Sequence, residues 1–394
     1  MDFDRIIDRK NSNAAKWDEK VLKARFGNED MLPFWVADMD FASPSIVMDT
    51  LKDRAEHGVF GYPASDKGFL KAWQNWAEAE HNWSVYLSDI CFTPGIVSAM
   101  SLGVHLFSKP GDSVILQEPV YQPFRNMIIR NHRNTVVNEL VMDGPRYVMD
   151  FDDLEEKASQ PDCTLLLLCS PHNPGGRVWT EEELNKVSEI CIRNEVFVIS
   201  DEIHADLVLG ERPHIPFSSL STEAAENSMT LMAPSKTFNI AGEKLSIAVF
   251  GSQKRRQTYL DGQLAFGTQE GSALALAIGE AVYNEGAEWL IALKIYLREN
   301  IAFIEEYLDK NLPGVKLMKP DAGFIGWIDF RELGMNHLEI QDLLQEKGKI
   351  ALVEGTWFGQ GGEGFFRLNY GCPRSLLREG LERLSISLAD NLIH

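Results

Sequence analysis

The 394-residue sequence predicts an α/β fold: a large domain built on a mostly parallel sheet covered by helices, with a smaller α+β domain beside it. Two observations carry this. From about residue 90 to 252, short apolar runs alternate with segments of helical periodicity, the rhythm of strands joined by crossover helices. Those runs are continuously apolar rather than alternating, so the sheet they form must be covered on both faces.

The elements follow in order. ICFTPG leads into the helical IVSAMSLGVHLF, DSVILQEP follows the turn KPG, and TVVNELV comes next. CTLLLLCSPHNPGG precedes a helix opening at Thr180, where Glu183 three residues on completes a capping box. EVFVISDE, SMTLMAPSK and LSIAVFGS supply further strands. From about residue 289 the pattern changes to long amphipathic helices, EWLIALKIYLRENIAFIEEYLDKNL and HLEIQDLLQEKGK, interleaved with the short strands GFIGWIDF and FFRLNYG. Residues 1–48 lack the strand–helix rhythm, so the division expected is a large domain over 49–288 and a small one made of 1–48 with 289–394.

A formal charge of −20 argues against a wide surface for nucleic acid or anionic membrane, which recruit clustered Lys and Arg. Any anion bound must sit in a local pocket. The N-terminus carries no apolar core flanked by basic residues, and no run approaches a membrane span, which points to the cytoplasm. Five cysteines lack CxxC spacing and nine histidines form no HExxH pattern, so no metal site is expected.

Ligands of open parallel sheets bind beyond the carboxyl ends of the strands. At those ends stand Pro94-Gly95 opening a helix, His172-Asn173-Pro174-Gly175-Gly176, Asp201-Glu202-Ile203-His204, and Ser235-Lys236. Singly, each is ordinary: turn chemistry, a strand-end cap, a solvated lysine. Asp201, Glu202, His204 and Asp206 resemble a metal cluster, but alternation along a strand turns neighbours to opposite faces. Together, an amine, a carboxylate and an anion cradle fit pyridoxal 5'-phosphate. Its aldehyde needs a lysine, which is Lys236; its ring nitrogen needs a buried carboxylate, which is Asp201. Its phosphate suits the helix N-terminal amides of Gly95, Ile96 and Val97.

FWVADMDF (34–41), EPVYQPF (118–124), SPHNPGG (170–176), SDEIHADL (200–207) and APSKTFN (233–239), in this order, resemble the class I/II aminotransferase group of fold type I pyridoxal-phosphate enzymes. Within it they look like the cystathionine β-lyase subfamily often called MalY/PatB. The resemblance spans nearly the whole chain. It implies that Tyr121 stacks on the pyridine ring, that Asn173 donates to the ring's phenolic oxygen, and that Arg367 grips the substrate α-carboxylate in a bidentate fork. Ala37 would approach the substrate backbone. Tyr62 would reach the phosphate of a neighbouring subunit, which implies a homodimer. Three positions depart from the wider pattern: Ala233 where a hydroxyl residue is common, Lys244 in place of an arginine, and His204 in place of a tyrosine. Ser235 and Lys244 are then the side chains expected at the phosphate.

Gly359, Gly361 and Gly364 satisfy the dinucleotide fingerprint, but the run precedes an expected strand where the fingerprint needs a helix. The expected chemistry starts when the substrate amine displaces Lys236, which then takes the Cα proton. Loss of a thiolate from Cβ would make the protein a C–S β-lyase releasing pyruvate and ammonia. Return of the proton to the cofactor would make it an aminotransferase, and retention of the cofactor without turnover a binding or regulatory protein. The shared machinery does not separate these, and the subfamily likeness favours the lyase.

Overall fold

The computed structural model describes residues 1–389. The strands of the large sheet are β1 (Ile90–Thr93), β2 (Ser113–Leu116), β3 (Asn134–Val137), β4 (Cys163–Cys169), β5 (Phe197–Asp201), β6 (Ser228–Met232) and β7 (Ser246–Phe250), in the spatial order β1-β7-β6-β5-β4-β2-β3. From β6 to β3 all neighbours are parallel. β7 runs antiparallel to both β1 and β6. This qualifies the parallel expectation for LSIAVFGS: only short turns over Pro234–Thr237 and Ala241–Glu243 lie between β6 and β7, too little for a crossover, so the chain re-enters the sheet from the edge it left.

The helices that matter for the site are α1 (Glu19–Phe26), α2 (Lys67–His81), α3 (Ile96–Phe107), α4 (Glu181–Arg193), α5 (Pro234–Thr237), α6 (Ala287–Asn311), α7 (His337–Asp342) and α8 (Arg374–Leu388). Thr180 caps α4 in the expected capping box with Glu183. β4 shows why its run is uniformly apolar. Leu165 and Leu167 pack with Ala99, Met100 and Val104 of α3, whereas Leu166 and Leu168 pack with Leu184, Val187 and Ile190 of α4. Each such leucine, fully removed from water, contributes about 2 kcal/mol.

Two sequence expectations change in detail. TVVNELV is not one strand: β3 ends at Val137, and Val141–Asp143 pairs instead with Arg146–Val148. The break falls at buried Asn138, whose amide bonds the Asp150 carbonyl and the Asp153 carboxylate, drawing the chain out of the sheet. The helix HLEIQDLLQEKGK stops as an α-helix at Asp342 and continues as a wider π-type turn over Leu343–Lys347.

A second, antiparallel sheet holds β8 (Lys316–Met318), β9 (Ile325–Asp329), β10 (Val353–Glu354) and β11 (Phe365–Asn369), in the order β8-β9-β11-β10. The glycine run before β11 thus ends in a strand, which disposes of the dinucleotide fingerprint. Leu32–Pro33 pairs in parallel with Ile350–Ala351, tying the N-terminal segment to this half of the chain. That pairing carries the FWVADMDF loop to the carboxyl edge of the large sheet.

Candidate active site

Register aligns the candidate residues. Cys169 lies opposite Asp201, and Asp201 opposite Leu231, so β4, β5 and β6 end at one edge; β1 ends there too, with Thr93 opposite Ser246. Asp201 is buried, and within the described residues only the Ile203 N–H is bonded to its carboxyl, at 3.1 Å. Burial pushes that carboxyl up to about 7, the Ile203 N–H and Lys236 opposing and Glu202 adding to the rise. A buried carboxyl with one weak partner is costly unless a cation is brought to it.

Lys236 sits on α5, a single turn that Pro234 opens at its first position, where a missing N–H costs nothing. The side chain points inward. Its Nζ donates to the Ala37 carbonyl, and burial pulls the amine down to about 8, helped by Arg367 and opposed by Asp38 and Asp201. The turn is fastened from behind. Thr237 Oγ1 donates to Asp206 at 2.7 Å, and Asp206 also accepts from Trp76 Nε1 at 3.0 Å and meets His81 Nε2 at 2.7 Å, both on α2.

The Ala37 carbonyl is positioned by two asparagines. Asn369 Nδ2 donates to the Val36 and Asp38 carbonyls, both at 2.6 Å, and Asn239 Nδ2 donates to the Met39 and Phe41 carbonyls at 3.0 and 2.8 Å. Beneath the loop, fully buried Lys16 and partly buried Arg9 each bond Asp40 at 2.6 Å, and Arg9 also bonds Asp38.

Arg367, on β11, is buried with Nη2 donating to the Trp35 carbonyl at 2.7 Å and Nη1 reaching Asn173 Oδ1 at 3.4 Å. Its guanidinium lies 5.0 Å from the Phe358 ring centroid. Burial lowers it to about 10, with Tyr121 opposing and Arg25 adding. Half-buried Tyr121 faces Trp357, ring centroids 5.8 Å apart, and burial raises its phenol. His204 is buried and held down to about 3 by burial, Lys236 and Arg367.

At the other end, Gly95 precedes α3 with φ +91° and ψ 150°, a conformation essentially reserved for glycine. No side chain among the described residues caps α3, so the N–H groups of Ile96 and Val97 are left open as an anion cradle; the Gly95 N–H, expected to join them, is instead donated to the Thr93 carbonyl at 2.9 Å. A Cβ on Gly95 would stand 3.9 Å from the Lys244 backbone, which places Lys244 beside the cradle although its side chain is exposed. Ser235 is buried one residue before the lysine.

The set fits pyridoxal phosphate. Among the described residues, His204 Nδ1, Arg367 Nε and Ser170 Oγ are buried with no hydrogen-bond partner, Asp201 forms no ion pair, and a helix N-terminus is open. Donors and acceptors left unmade in this way are expensive without a ligand. A lowered amine for the aldehyde, an acid for the ring nitrogen and main-chain amides for the phosphate lie at one sheet edge. The metal reading fails in geometry: Glu202 turns to Ser200, His214 and the Phe217 N–H, and Asp206 to Thr237, Trp76 and His81.

Tyr62 alone among the candidates stands apart, 95% exposed on the loop between Gly58 and Asp66. Sequence reasoning missed Asp38, Asn239, Asn369 and Trp357, and weighed Asp206 only as an apparent metal ligand. Asp38, Asp206, Asn239 and Asn369 lie inside quoted stretches, where a lone amide or acid amid apolar residues was the available signal. Trp357 stands two residues before the glycine run that was read as a false fingerprint.

The aminotransferase class I and II family model matches residues 29–384. Cystathionine beta-lyase PatB of Bacillus subtilis is 42% identical, over 99% of this chain and 100% of its own. Protein MalY of Escherichia coli is 35% identical over 98% of each chain. Among solved structures, cystalysin from Treponema denticola, which contains pyridoxal 5'-phosphate, superposes with a TM-score of 0.94 at 34% identity over 99% of both chains. With the match running through both sheets and every strand end described above, the chain belongs to the aminotransferase class I and II family.

Proposed function

We propose that this protein is a pyridoxal-phosphate-dependent carbon–sulfur β-lyase acting on cystathionine or related cysteine S-conjugates, yielding pyruvate, ammonia and a thiol. The observation that carries the reading is the full-length likeness to PatB, a cystathionine beta-lyase, combined with a lowered lysine and a buried acid at one sheet edge.

Pyridoxal phosphate, when bound, supplies an electron-withdrawing ring that stabilises the charge left on Cα after deprotonation. Lys236 removes that proton. An amine near 8 keeps an appreciable neutral fraction at neutral pH, and the Ala37 carbonyl fixes the direction of Nζ. Once protonated, Nζ can deliver its proton to the departing sulfur. Asp201 is assigned to the ring nitrogen, Tyr121 to the ring face, and Asn173 with His204 to the side of the phenolic oxygen. The amides of Ile96 and Val97, presented by the turn at Gly95, with Ser235 and Lys244, are assigned to the phosphate. Arg367, held by Trp35 and Asn173, takes the substrate α-carboxylate, and Ala37 flanks it.

The assembly we propose is a homodimer in which Tyr62 serves the partner's phosphate site; its near-complete exposure beside exposed Val59 and Phe60 supports this. We retain 49–288 as the large domain and 1–48 with 289–394 as the small one, and the cytoplasm as compartment, where five free buried cysteines suit reducing conditions. No described helix is long and apolar enough to cross a membrane.

The aminotransferase reading rests on the family's description and the same residues. Purified holoenzyme given cystathionine without any 2-oxo acid is expected to release pyruvate and thiol. Strict dependence on an added 2-oxo acid would favour the aminotransferase instead. Lys236→Ala should abolish either activity and the visible absorption of the lysine-bound cofactor; a purely binding protein would keep its role.

A further inference from the structure

Arg25 closes the last turn of α1, where a cation is favoured by the helix dipole. Its surroundings go beyond that. The guanidinium lies 5.0 Å from the Trp35 ring centroid and 5.8 Å from that of Trp357. Both tryptophans adjoin the site: the main-chain carbonyl of Trp35 holds Arg367 while its ring packs on Phe26, and the Trp357 ring faces Tyr121. The charge of Arg25 is felt at Arg367, helping to lower it. A guanidinium stacked by its face on aromatic rings keeps its edge N–H groups free for a planar oxyanion.

No oxygen among the described residues takes those N–H groups. Glu354 is close enough to favour the charge on Arg25 but forms no ion pair with it. Arg25, Glu354 and Trp357 line a cavity of about 250 Å³ together with Gln341 and Gln345. In a chain of charge −20, a stacked and unpaired arginine at the edge of a site is poorly explained by stability alone.

We propose that Arg25, mounted on Trp35 and Trp357, forms a distal subsite for a carboxylate carried by the sulfur leaving group. Arg367 would take the α-carboxylate at the near end and Arg25 the second carboxylate at the far end. Thioethers with an ionised tail would then be preferred over alkyl ones. The inference rests on the lyase reading for its substrate class, but it concerns recognition rather than elimination.

The test therefore uses ligands without sulfur. Holoenzyme is titrated calorimetrically with L-α-aminopimelate, whose chain matches S-(2-carboxyethyl)-L-cysteine, and with L-2-aminoheptanoate, which lacks the distal carboxylate. One charge-assisted contact predicts roughly tenfold tighter binding of the diacid, lost in Arg25→Gln and partly kept in Arg25→Lys. Equal affinities in the wild type, binding of neither ligand, or a preference that survives Arg25→Gln would overturn the proposal. Failure to release thiol from any cysteine conjugate would instead sink the lyase reading and leave this ratio standing.

Discussion

Asp201 is a residue that the fold alone does not want. Its carboxyl is buried at the end of β5 and lifted from 3.8 to about 7 chiefly by burial. A raised carboxyl binds its proton more tightly folded than unfolded, so the stability of the cofactor-stripped chain falls as pH rises from about 4 towards 7, and the penalty is complete above that. Asp201→Asn removes the charge without changing shape. The stripped variant should be more stable than the stripped wild type at pH 8, by on the order of a few kcal/mol, with the gap narrowing at pH 5.5. Urea midpoints at the two pH values check this; an equal or lower midpoint for the variant at pH 8 would mean that Asp201 is satisfied by the protein. The same substitution should weaken cofactor binding. A residue that harms the empty fold and serves a ligand is the signature expected of a functional site.

At the scale of elements, the site is held by strand ends and one open helix. Gly95 lets the chain turn from β1 into α3 with its first amides left open, at a φ that an L side chain adopts only under strain. Gly95→Ala meets no clash, since nothing lies closer than 3.9 Å, so its cost is conformational, roughly 1–3 kcal/mol. If the strain is relieved by reorienting the amides, pyridoxal phosphate affinity should drop about tenfold or more, measured by titrating the stripped protein. Unchanged affinity would place the phosphate elsewhere. This level was largely legible in the sequence, because strand, turn and cap signals are local: Thr180 with Glu183, the apolar run of β4 and the lysine after β6 all stand in short windows. What was not legible is what local windows cannot hold. Asn369 reaches the Asp38 carbonyl across 331 positions of sequence, and Asp206 joins α5 to α2. Likewise, β7 turns antiparallel because of where its connection runs rather than because of its own residues.

For the whole molecule, the loop carrying Tyr62 is the feature a single chain does not explain. Tyr62 is 95% exposed, with Val59 and Phe60 at 64% and 62%, and the first turn of α3 exposes Val97. An exposed apolar loop in one place and an open anion cradle in another suit a second copy of the chain, and a twofold assembly would place each loop on its partner. Geometry then makes a sharp prediction about complementation. A chain with Tyr62→Ala keeps its own lysine but offers its partner no tyrosine; a chain with Lys236→Ala offers a tyrosine but has no base. Each homodimer should be impaired, the second completely. In a mixed dimer, one site combines the intact Lys236 of the first chain with the intact Tyr62 of the second, and the other site lacks both. Co-expression with two affinity tags and isolation of the doubly tagged species should therefore recover the activity of one good site per dimer. If Tyr62 acted within its own chain, every site of the mixed dimer would be defective and no recovery would follow. If it acted nowhere, Tyr62→Ala alone would be as active as the wild type. The three outcomes are distinct in one set of initial rates, because the assay reads which chain supplies the hydroxyl rather than whether the hydroxyl matters.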